Sequence, residues 1–334
     1  MHRASLSLSN QTFDIQTGET VLDAALRQGV ALEYGCRHGN CSSCKYYLES
    51  GDVDHGGASI YSLTEAERDE GFALLCCAKP VSDLVIEVRG GSDARALPLI
   101  KPREFEATLL GVTQLTRTLW RIRIEIAQAL PFYAGQFVEL KLGGQDFWRS
   151  YSIASAPADN RVLEFVIKRV GGGQFSDQIV ALVPGSPLTV RGPFGTSYLR
   201  DGEAPVLLVA IGSGVSPILS ILRQATVTED PRRFSFYYGA RTPADLPLQA
   251  ELQRLTRMLG ERFVFQPVLS RPDAMWNGLS GRVTQALQRD LADARPYDAY
   301  LCGAPDMCDA IGTLLEAKGI RAGQLFFDKF HSAT

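Results

Sequence analysis

One stretch decides the organisation of this chain, Tyr34-Gly35-Cys36-Arg37-His38-Gly39-Asn40-Cys41-Ser42-Ser43-Cys44, together with Leu74-Leu75-Cys76 further along. Three cysteines spaced C-x4-C-x2-C with a distant fourth form the ligand pattern of a [2Fe-2S] cluster. Each iron of such a cluster takes two thiolates, and small residues between them let backbone N–H groups hydrogen-bond the sulfurs. The pattern therefore predicts four metal ligands, Cys36, Cys41, Cys44 and Cys76.

Two adjacent cysteines, Cys76 and Cys77, compete for the fourth position. The chain continues Ala78-Lys79-Pro80 and then alternates through 84–88, which resembles the ferredoxin pattern of a ligand cysteine, three residues, a proline and a strand. That register selects Cys76, and the terminal strand is expected to leave Cys77 pointing the other way. The thiols could instead form a zinc site or a redox pair. Zinc sites usually come as two short C-x2-C pairs, so the spacing favours the cluster.

Composition limits the function classes. The 334 residues allow two or three domains, and a net charge of −3 implies neither nucleic acid nor an anionic membrane as partner. Residues 1–90 carry 13 acidic and 7 basic side chains, which suits electrostatic docking of an electron carrier. No long apolar run or signal-peptide core is present, and seven cysteines fit a reducing compartment. We expect a soluble, cytoplasmic monomer.

The first domain is predicted over residues 1–90. Residues 3–16 alternate like two short strands, Thr20 to Gln28 has helical spacing with Gly29 as its C′ residue, and Thr64 to Glu67 is a capping box. This arrangement resembles the β-grasp fold of plant-type ferredoxins. Glycine, serine and proline over 91–102 predict a linker.

The next domain, over 103–200, is predicted as an antiparallel β-barrel. Five short strands with turns support it, and Arg191 to Gly195 is expected to close it with a tight turn. The predicted strands are 105–112, 119–126, 136–142, 147–153 and 162–168.

A flavin site is predicted within that barrel. Tyr151 offers a ring for stacking, Arg149 a cation for a pyrophosphate and Ser152 a hydroxyl for the reactive flavin N5. The glycine run before Ser176 lets backbone N–H groups approach a phosphate at a helix start, although such a run also forms hairpin turns. The expected FAD contacts are Arg149, Ser150, Tyr151, Ser152, Ile167, Lys168, Gly172, Gly173, Gln174 and Ser176.

The last domain, over 201–334, is predicted as a doubly wound parallel sheet. An apolar strand runs into Gly212-Ser213-Gly214-Val215-Ser216-Pro217, and three more strand–helix units and an edge strand near 324–329 follow. A nucleotide should bind at the carboxyl ends of these strands. The predicted contacts there include Gly212, Gly214, Pro217 and Arg241.

Taken in order, these motifs resemble the ferredoxin–NADP⁺ reductase superfamily, and more narrowly the reductase components of bacterial multicomponent oxygenases. The resemblance places Cys302, Gly303, Pro305 and Met307 against the nicotinamide, with Cys302 near its hydride-carrying carbon. It implies that Asp245 disfavours a 2′-phosphate, so that NADH is preferred and NADPH used less well. It also implies that Phe330 is the terminal aromatic on the flavin, although Phe326 and Phe327 lie close in sequence. The catalytic set is thus Ser152, Cys302 and Phe330.

Electron counting predicts the reaction. NADH gives two electrons as a hydride, a [2Fe-2S] cluster accepts one at a time, and a flavin can do both, so the chain is expected to be an NADH:acceptor oxidoreductase that passes electrons from NADH to FAD to the cluster. The expected partner is the terminal oxygenase of a soluble di-iron monooxygenase. A Rieske ring-hydroxylating dioxygenase or its ferredoxin is the alternative partner. A passive electron carrier or redox sensor is the alternative of another class.

Overall fold

The computed structural model describes residues 1–88 and 95–331, which form two compact units. The first unit runs from Met1 to Pro102 and takes in His331, and the second runs from Arg103 to Phe330. Residues 89–94, which span the end of the predicted first domain and the start of the predicted linker, lie outside the described residues, as do 332–334. The predicted domain boundaries stay predictions.

The first unit is a mixed sheet with two helices. The main sheet has the order β2-β1-β7-β3-β5, and β4 and β6 form a separate two-stranded ribbon. Its elements are β1 (His2–Leu6), β2 (Thr12–Ile15), α1 (Val21–Gln28), β3 (Lys45–Ser50), β4 (Val53–Asp54), α2 (Glu65–Asp69), β5 (Phe72–Leu74), β6 (Lys79–Pro80) and β7 (Leu84–Glu87).

Both helices of this unit form where the sequence predicts them. The Thr20 side chain accepts a hydrogen bond from the Asp23 N–H, and Gly29 ends α1 with a φ of 87°. The capping box of α2 is present, because Thr64 and Glu67 each receive the other's backbone N–H. Helix α1 buries its apolar face against the sheet and delivers the chain to the cysteine loop.

The second unit begins with a closed antiparallel barrel, as predicted. Its strands follow the order β11-β10-β13-β8-β9-β12, and a bridge between Ile153 and Phe165 joins the two ends of that order. Its elements are β8 (Arg103–Gln114), β9 (Leu119–Ile126), β10 (Phe137–Leu142), β11 (Arg149–Ser152), β12 (Val162–Lys168), α3 (Ser176–Ala181) and β13 (Pro187–Phe194).

The tight turn predicted at Arg191 to Gly195 is wrong. Residues Arg191 to Phe194 continue β13, which pairs with β8 on one side and β10 on the other. Two neighbouring strands satisfy the backbone here, so tertiary pairing outweighs the local preference of Gly-Pro for a turn.

A parallel sheet completes the second unit and confirms the doubly wound prediction. Its order is β17-β16-β15-β14-β18-β19, one short strand more than expected. Among the helices of the described ranges, none combines the length and apolar character needed to cross a membrane. The elements are β14 (Val206–Ile211), α4 (Val215–Val227), β15 (Phe234–Ala240), α5 (Gln249–Leu259), β16 (Phe263–Leu269), β17 (Leu279–Ser280), α6 (Val283–Asp290), β18 (Asp298–Gly303), α7 (Pro305–Ala317) and β19 (Leu325–Lys329).

One face of α4 ties the parallel sheet to the barrel. Ser216 and Ser220 donate from their Oγ atoms to carbonyl oxygens of segment 152–155, each at 2.7 Å, and Arg223 donates to a third carbonyl of that segment at 2.7 Å. Residues spaced by four and then three share one face of a helix. The Arg223 guanidinium also pairs with Glu164 of β12 at 2.7 Å. We call this set of contacts the α4 seam.

The sharpest steric requirement in the parallel sheet lies at Gly214, just before α4. A Cβ atom at this position would lie 2.1 Å from the carbonyl oxygen of Cys302, and a backbone atom cannot move aside cheaply. Only glycine therefore lets the turn after β14 approach the end of β18.

We expect Gly214→Ala to destabilise the second unit by about 1–3 kcal/mol, the usual range for overpacking a well-packed site. The apparent melting temperature, followed by the intrinsic fluorescence of the protein, should fall by at least about 2 °C. Gly111→Ala is the matched control, because a Cβ there meets nothing within 4 Å. Equal melting temperatures for both variants would contradict the steric argument.

Candidate cofactor sites

The loop that carries the first three predicted ligands has a strongly turned backbone. Arg37, Gly39 and Ser42 have φ values of 64°, 73° and 58°, and such left-handed residues turn backbone N–H groups into a concave nest that favours negative charge. The Arg37 guanidinium is buried and donates to the Asp23 carboxylate at 2.8 Å, which fastens the loop to α1.

The four predicted ligand thiols form two pairs. Cys36 and Cys41 hydrogen-bond each other, which raises the pKa of Cys36 and lowers that of Cys41. Cys44 and Cys76 form the second pair, and that contact raises the pKa of Cys76. Neighbouring thiols resist a second negative charge unless a cation lies between them. Two pairs of thiols therefore suit two irons.

A zinc site fits this arrangement less well. Zinc needs four ligands around a single ion. In the described loop the thiols contact one another two by two, Cys36 with Cys41 and Cys44 with Cys76. The paired arrangement favours the binuclear cluster.

Backbone N–H groups of the loop point at the sulfur atoms. The N–H of Cys36 lies 3.2 Å from the Sγ of Cys41, and the N–H groups of His38 and Asn40 each lie 3.4 Å from the Sγ of Cys36. Gly39 supplies a further backbone contact to Cys76 that favours its thiolate. Such hydrogen bonds stabilise negative charge on ligating sulfur and tune the potential of the metal group.

The expectation that Cys77 points away from the ligands is wrong. Its Sγ lies 3.7 Å from the Sγ of Cys76, and a Cβ at Gly39 would come within 2.8 Å of it. Residues 75–77 form a turn rather than a strand, so successive side chains need not face opposite sides. The pairing of Cys76 with Cys44 still favours Cys76 as the fourth ligand.

The predicted flavin-binding strand, β11, lies at one end of the barrel order. The Tyr151 ring packs 5.4 Å from Phe175, and burial raises the pKa of its hydroxyl. The Arg149 guanidinium lies 4.5 Å from the centre of the Phe147 ring and donates to a backbone carbonyl at 3.0 Å. Ser150 alternates with these residues and is half-buried. The Tyr151 ring and the Arg149 cation thus lie two residues apart on one strand.

The glycine loop before α3 is closed on itself. The Gly172 N–H donates to the Asp177 carboxylate at 2.6 Å, and Asp177 also pairs with Arg169 at 2.6 Å. The Ser176 hydroxyl accepts the N–H of Val170 at 3.0 Å. The structure thus gives the Gly172 N–H an internal carboxylate, and its contact with a phosphate stays a prediction.

Three other predicted flavin contacts differ in accessibility. The Ile167 side chain is buried in the barrel core, whereas Lys168 and Gln174 are exposed. The backbone carbonyl of Gln174 accepts from Gln145 at 3.2 Å. Gly173 is confined, because a Cβ there would lie 2.8 Å from both the Val170 carbonyl and the Ser176 hydroxyl.

The structure brings Ser152 and Cys302 together around a residue that the sequence analysis missed, Asp328. The Ser152 Oγ donates to the Asp328 carboxylate at 2.7 Å, and Asp328 is the register partner of Cys302 in the neighbouring strand. Burial raises the pKa of Cys302 well above its usual value, so its thiol stays neutral. The position of Asp328, two residues before the predicted terminal aromatic on a strand's carboxyl end, is the signal that could have found it.

The predicted nicotinamide turn is built by close backbone approach. Gly212 has a φ of 54° and its carbonyl accepts from the Tyr238 hydroxyl at 3.0 Å. Gly303 has a φ of 143°, and a Cβ there would lie 3.1 Å from Met307. Pro305 starts α7, and Pro217 is buried in α4. These residues line the carboxyl ends of β14 and β18.

Phe330 stands apart from the two other C-terminal phenylalanines. Phe326 is buried and stacks on Tyr300 at 4.8 Å, and Phe327 packs against Gly312 of α7. Phe330 is half-buried directly after β19, and its N–H donates to the Gly303 carbonyl at 2.8 Å. The backbone of Phe330 is therefore held at the carboxyl end of β18, beside Gly303, and the contact of its ring with the flavin stays a prediction.

Asp245 and Arg241 lie after β15. The Asp245 carboxylate accepts from the N–H of Thr242 at 3.1 Å and from its hydroxyl at 2.9 Å. The Arg241 side chain is exposed, and its carbonyl accepts the N–H of Arg271 at 2.7 Å. A fixed carboxylate and an exposed cation therefore share the end of this strand.

Three protein families match successive parts of the chain. The 2Fe-2S iron-sulfur cluster binding domain matches residues 6–81, the oxidoreductase FAD-binding domain 107–198 and the oxidoreductase NAD-binding domain 208–312. With the paired thiols and the barrel and sheet sites, they define an iron–sulfur flavoprotein oxidoreductase. The predicted [2Fe-2S], FAD and NAD cofactors are confirmed.

Similar proteins narrow the class. The chain is 34% identical to the propane 2-monooxygenase reductase component of Mycolicibacterium goodii, over 99% of this chain and 97% of that one. It is 34% identical to the phenol 2-monooxygenase reductase component DmpP of Pseudomonas sp. strain CF600, over 99% and 95%. The crystal structure of the Amycolatopsis cytochrome P450 reductase GcoB superposes with a TM-score of 0.90 at 31% identity, covering 100% of both chains. The chain belongs to the family of reductase components of multicomponent oxygenases.

We expect Asp328→Ala to slow the reduction of bound FAD by NADH by about tenfold or more, because Ser152 loses the acceptor that orients its hydroxyl. Stopped-flow measurement of flavin bleaching under anaerobic conditions tests this. Asp328→Asn keeps an acceptor oxygen and should lose less.

Asp309→Ala is the control for charge, since Asp309 is an exposed carboxylate that pairs with Lys329 near the same strand. A wild-type bleaching rate for Asp328→Ala, with FAD content unchanged, would show that the Ser152 contact is not needed.

Proposed function

We propose that this chain reduces the terminal oxygenase of a soluble di-iron monooxygenase. Its reaction, from NADH through FAD to the [2Fe-2S] cluster, follows from the three matched domains. The observation that supports the choice of acceptor is the end-to-end similarity to reductase components of propane and phenol monooxygenases. Aromatic or aliphatic hydrocarbon catabolism is the corresponding physiological setting.

We assign a positioning role to each group of predicted residues. Bound FAD supplies the conversion between a two-electron hydride and the single electrons that a [2Fe-2S] cluster takes. Tyr151 and Arg149 hold the flavin. The hydroxyl proton of Ser152 is donated to Asp328, so Ser152 presents its oxygen to the reactive edge as a hydrogen-bond acceptor. Phe330 covers the flavin face until the nicotinamide replaces it. These side chains orient and shield the reacting groups, and none of them is asked to act as a nucleophile.

The remaining nucleotide residues fix and select the dinucleotide. Because Gly212, Gly214 and Gly303 have no side chains, the dinucleotide can approach the backbone at the strand ends. The neutral Cys302 thiol and Met307 provide an apolar surface for the nicotinamide. Pro305 and Pro217 fix the helix starts beside it. The Asp245 carboxylate opposes a 2′-phosphate, while Arg241 gives NADPH a weaker alternative contact.

We further propose that the chain works as a cytoplasmic monomer with domains at 1–90, 103–200 and 201–334. The seven cysteines are all free thiols in the described residues, which suits a reducing compartment. One polypeptide supplies all three cofactor regions, so no second copy is needed to complete the electron path.

We expect Cys44→Ala to separate the two halves of this path. The variant should lose its cluster because Cys44 is one of a thiol pair, and NADH should still bleach the flavin. Reduction of cytochrome c through the cluster should fall by about tenfold or more, while ferricyanide reduction is retained. Unchanged cytochrome c reduction in an iron-free variant would show that the cluster is not on the path, and no bleaching of the wild type would support a passive carrier.

We expect Asp245→Asn to raise kcat/KM for NADPH relative to NADH by about threefold to tenfold, or roughly 1 kcal/mol. The amide oxygen can still accept from Thr242, so the change removes charge and keeps the turn. Thr242→Val is the complementary control, because it removes the hydroxyl and keeps the carboxylate. A ratio unmoved by Asp245→Asn, or moved equally by Thr242→Val, would refute the charge argument.

The acceptor can be identified directly. The tagged holoprotein should capture a di-iron oxygenase from extracts of the source organism grown on phenol or on a short alkane, and NADH should then reduce the captured partner. Capture and reduction of a Rieske oxygenase instead would replace the proposed acceptor with the alternative.

A further inference from the structure

A fifth thiol, Cys77, stands beside the four predicted ligands. Its Sγ lies 3.7 Å from the Sγ of Cys76. For tetrahedral thiolates with metal–sulfur bonds of about 2.3 Å, neighbouring sulfurs are about 3.8 Å apart. The distance between the Cys77 and Cys76 sulfurs is therefore about the distance between two sulfurs that bind the same metal ion.

The surroundings of Cys77 also face the ligand loop. A Cβ at Gly39, which lies between Cys36 and Cys41, would come within 2.8 Å of the Cys77 Sγ. The absence of a side chain at Gly39 thus leaves room for this sulfur against the ligand loop. Of the four predicted ligands, Cys76 alone is adjacent in sequence to another cysteine, whereas Cys44 has none beside it.

The backbone around the two cysteines is anchored on both sides. The Leu75 N–H donates to the Cys44 carbonyl at 3.0 Å, and the Leu75 carbonyl accepts from the N–H of Leu22 at 2.9 Å. On the other side, the Ala78 carbonyl accepts from the N–H of Val21 at 3.0 Å. Cys76 and Cys77 occupy the turn between these anchors, so exchanging their sulfurs requires local rotation and leaves the anchors in place.

We propose that Cys77 is a standby fourth ligand, so that the chain holds its cluster through Cys76 or, when that sulfur is lost, through Cys77. The inference rests on the proposed [2Fe-2S] function of this loop. When an alkylating electrophile R–X attacks the Cys76 sulfur, the R–X bond and the iron–sulfur bond to Cys76 would break. A carbon–sulfur bond at Cys76 and an iron–sulfur bond to Cys77 would form, and the proton of the Cys77 thiol would leave with X⁻. No electron is gained or lost. A chain whose Cys76 has been blocked by an alkylating electrophile would keep its cluster.

The test compares alanine variants of the holoprotein, because serine could itself ligate iron. Cys76→Ala should retain at least about half of the wild-type iron and acid-labile sulfide, with a shifted electron paramagnetic resonance spectrum in the reduced state. The double variant Cys76→Ala/Cys77→Ala should contain almost no iron. Cys44→Ala, which lacks a neighbouring thiol, should match the double variant. Cys77→Ala should keep the wild-type spectrum, because Cys76 is then the ligand.

The FAD content and circular dichroism of each variant show that the chain has folded. A folded Cys76→Ala that is as poor in iron as Cys44→Ala would overturn the proposal, as would a double variant that keeps the iron of Cys76→Ala. Loss of iron in Cys77→Ala with retention in Cys76→Ala would instead make Cys77 the primary ligand. A wild-type protein that assembles no cluster at all would refute the proposed function itself, which distinguishes the two failures.

Discussion

The α4 seam is the constraint on which the reductase half of this molecule depends. Two serines and an arginine on one face of α4 hold the segment that follows the predicted flavin-binding strand. The nucleotide turn at Gly212 to Gly214 leads directly into the same helix. The groups that these bonds join are buried, and breaking a bond would leave them without a hydrogen-bond partner at a cost in free energy. The bonds therefore fix the distance between the barrel and the parallel sheet. The contact between Ser152 and Asp328 lies beside this seam and has to follow its geometry.

Much of the architecture could be predicted from the sequence because its signals are local. Thr20 and Gly29 cap α1 as expected. The continuous apolar run of β14 predicts a buried parallel strand. The spacing of the cysteines indicates the cluster for the same reason, since metal geometry constrains short loops directly. Features of this kind depend on neighbours within a few residues.

The rest depends on contacts between distant parts of the chain. Asp328 meets Ser152 across 176 residues, a pairing that no spacing rule can reveal. The predicted outward direction of Cys77 is wrong because strand alternation does not extend into the turn that holds this residue. The predicted tight turn around Gly192 is wrong because strand pairing on both sides outweighs the local preference of the sequence. The roles of Gly172 and Arg149 toward FAD depend on a bound group and stay predictions.

The α4 seam also bears on how such reductases can be recombined. A nucleotide-binding half taken from a relative would bring its own α4. The carbonyls that accept hydrogen bonds from this helix belong to the barrel. Main-chain carbonyls are present whatever the side chains are, so at these three carbonyls the recipient barrel needs only the right strand conformation. A chimaera therefore has to combine the helix face at 216, 220 and 223 with a barrel that carries Glu164, the β12 partner of Arg223. The second carboxylate partner of Arg223, Glu251 of α5, arrives with the nucleotide-binding half.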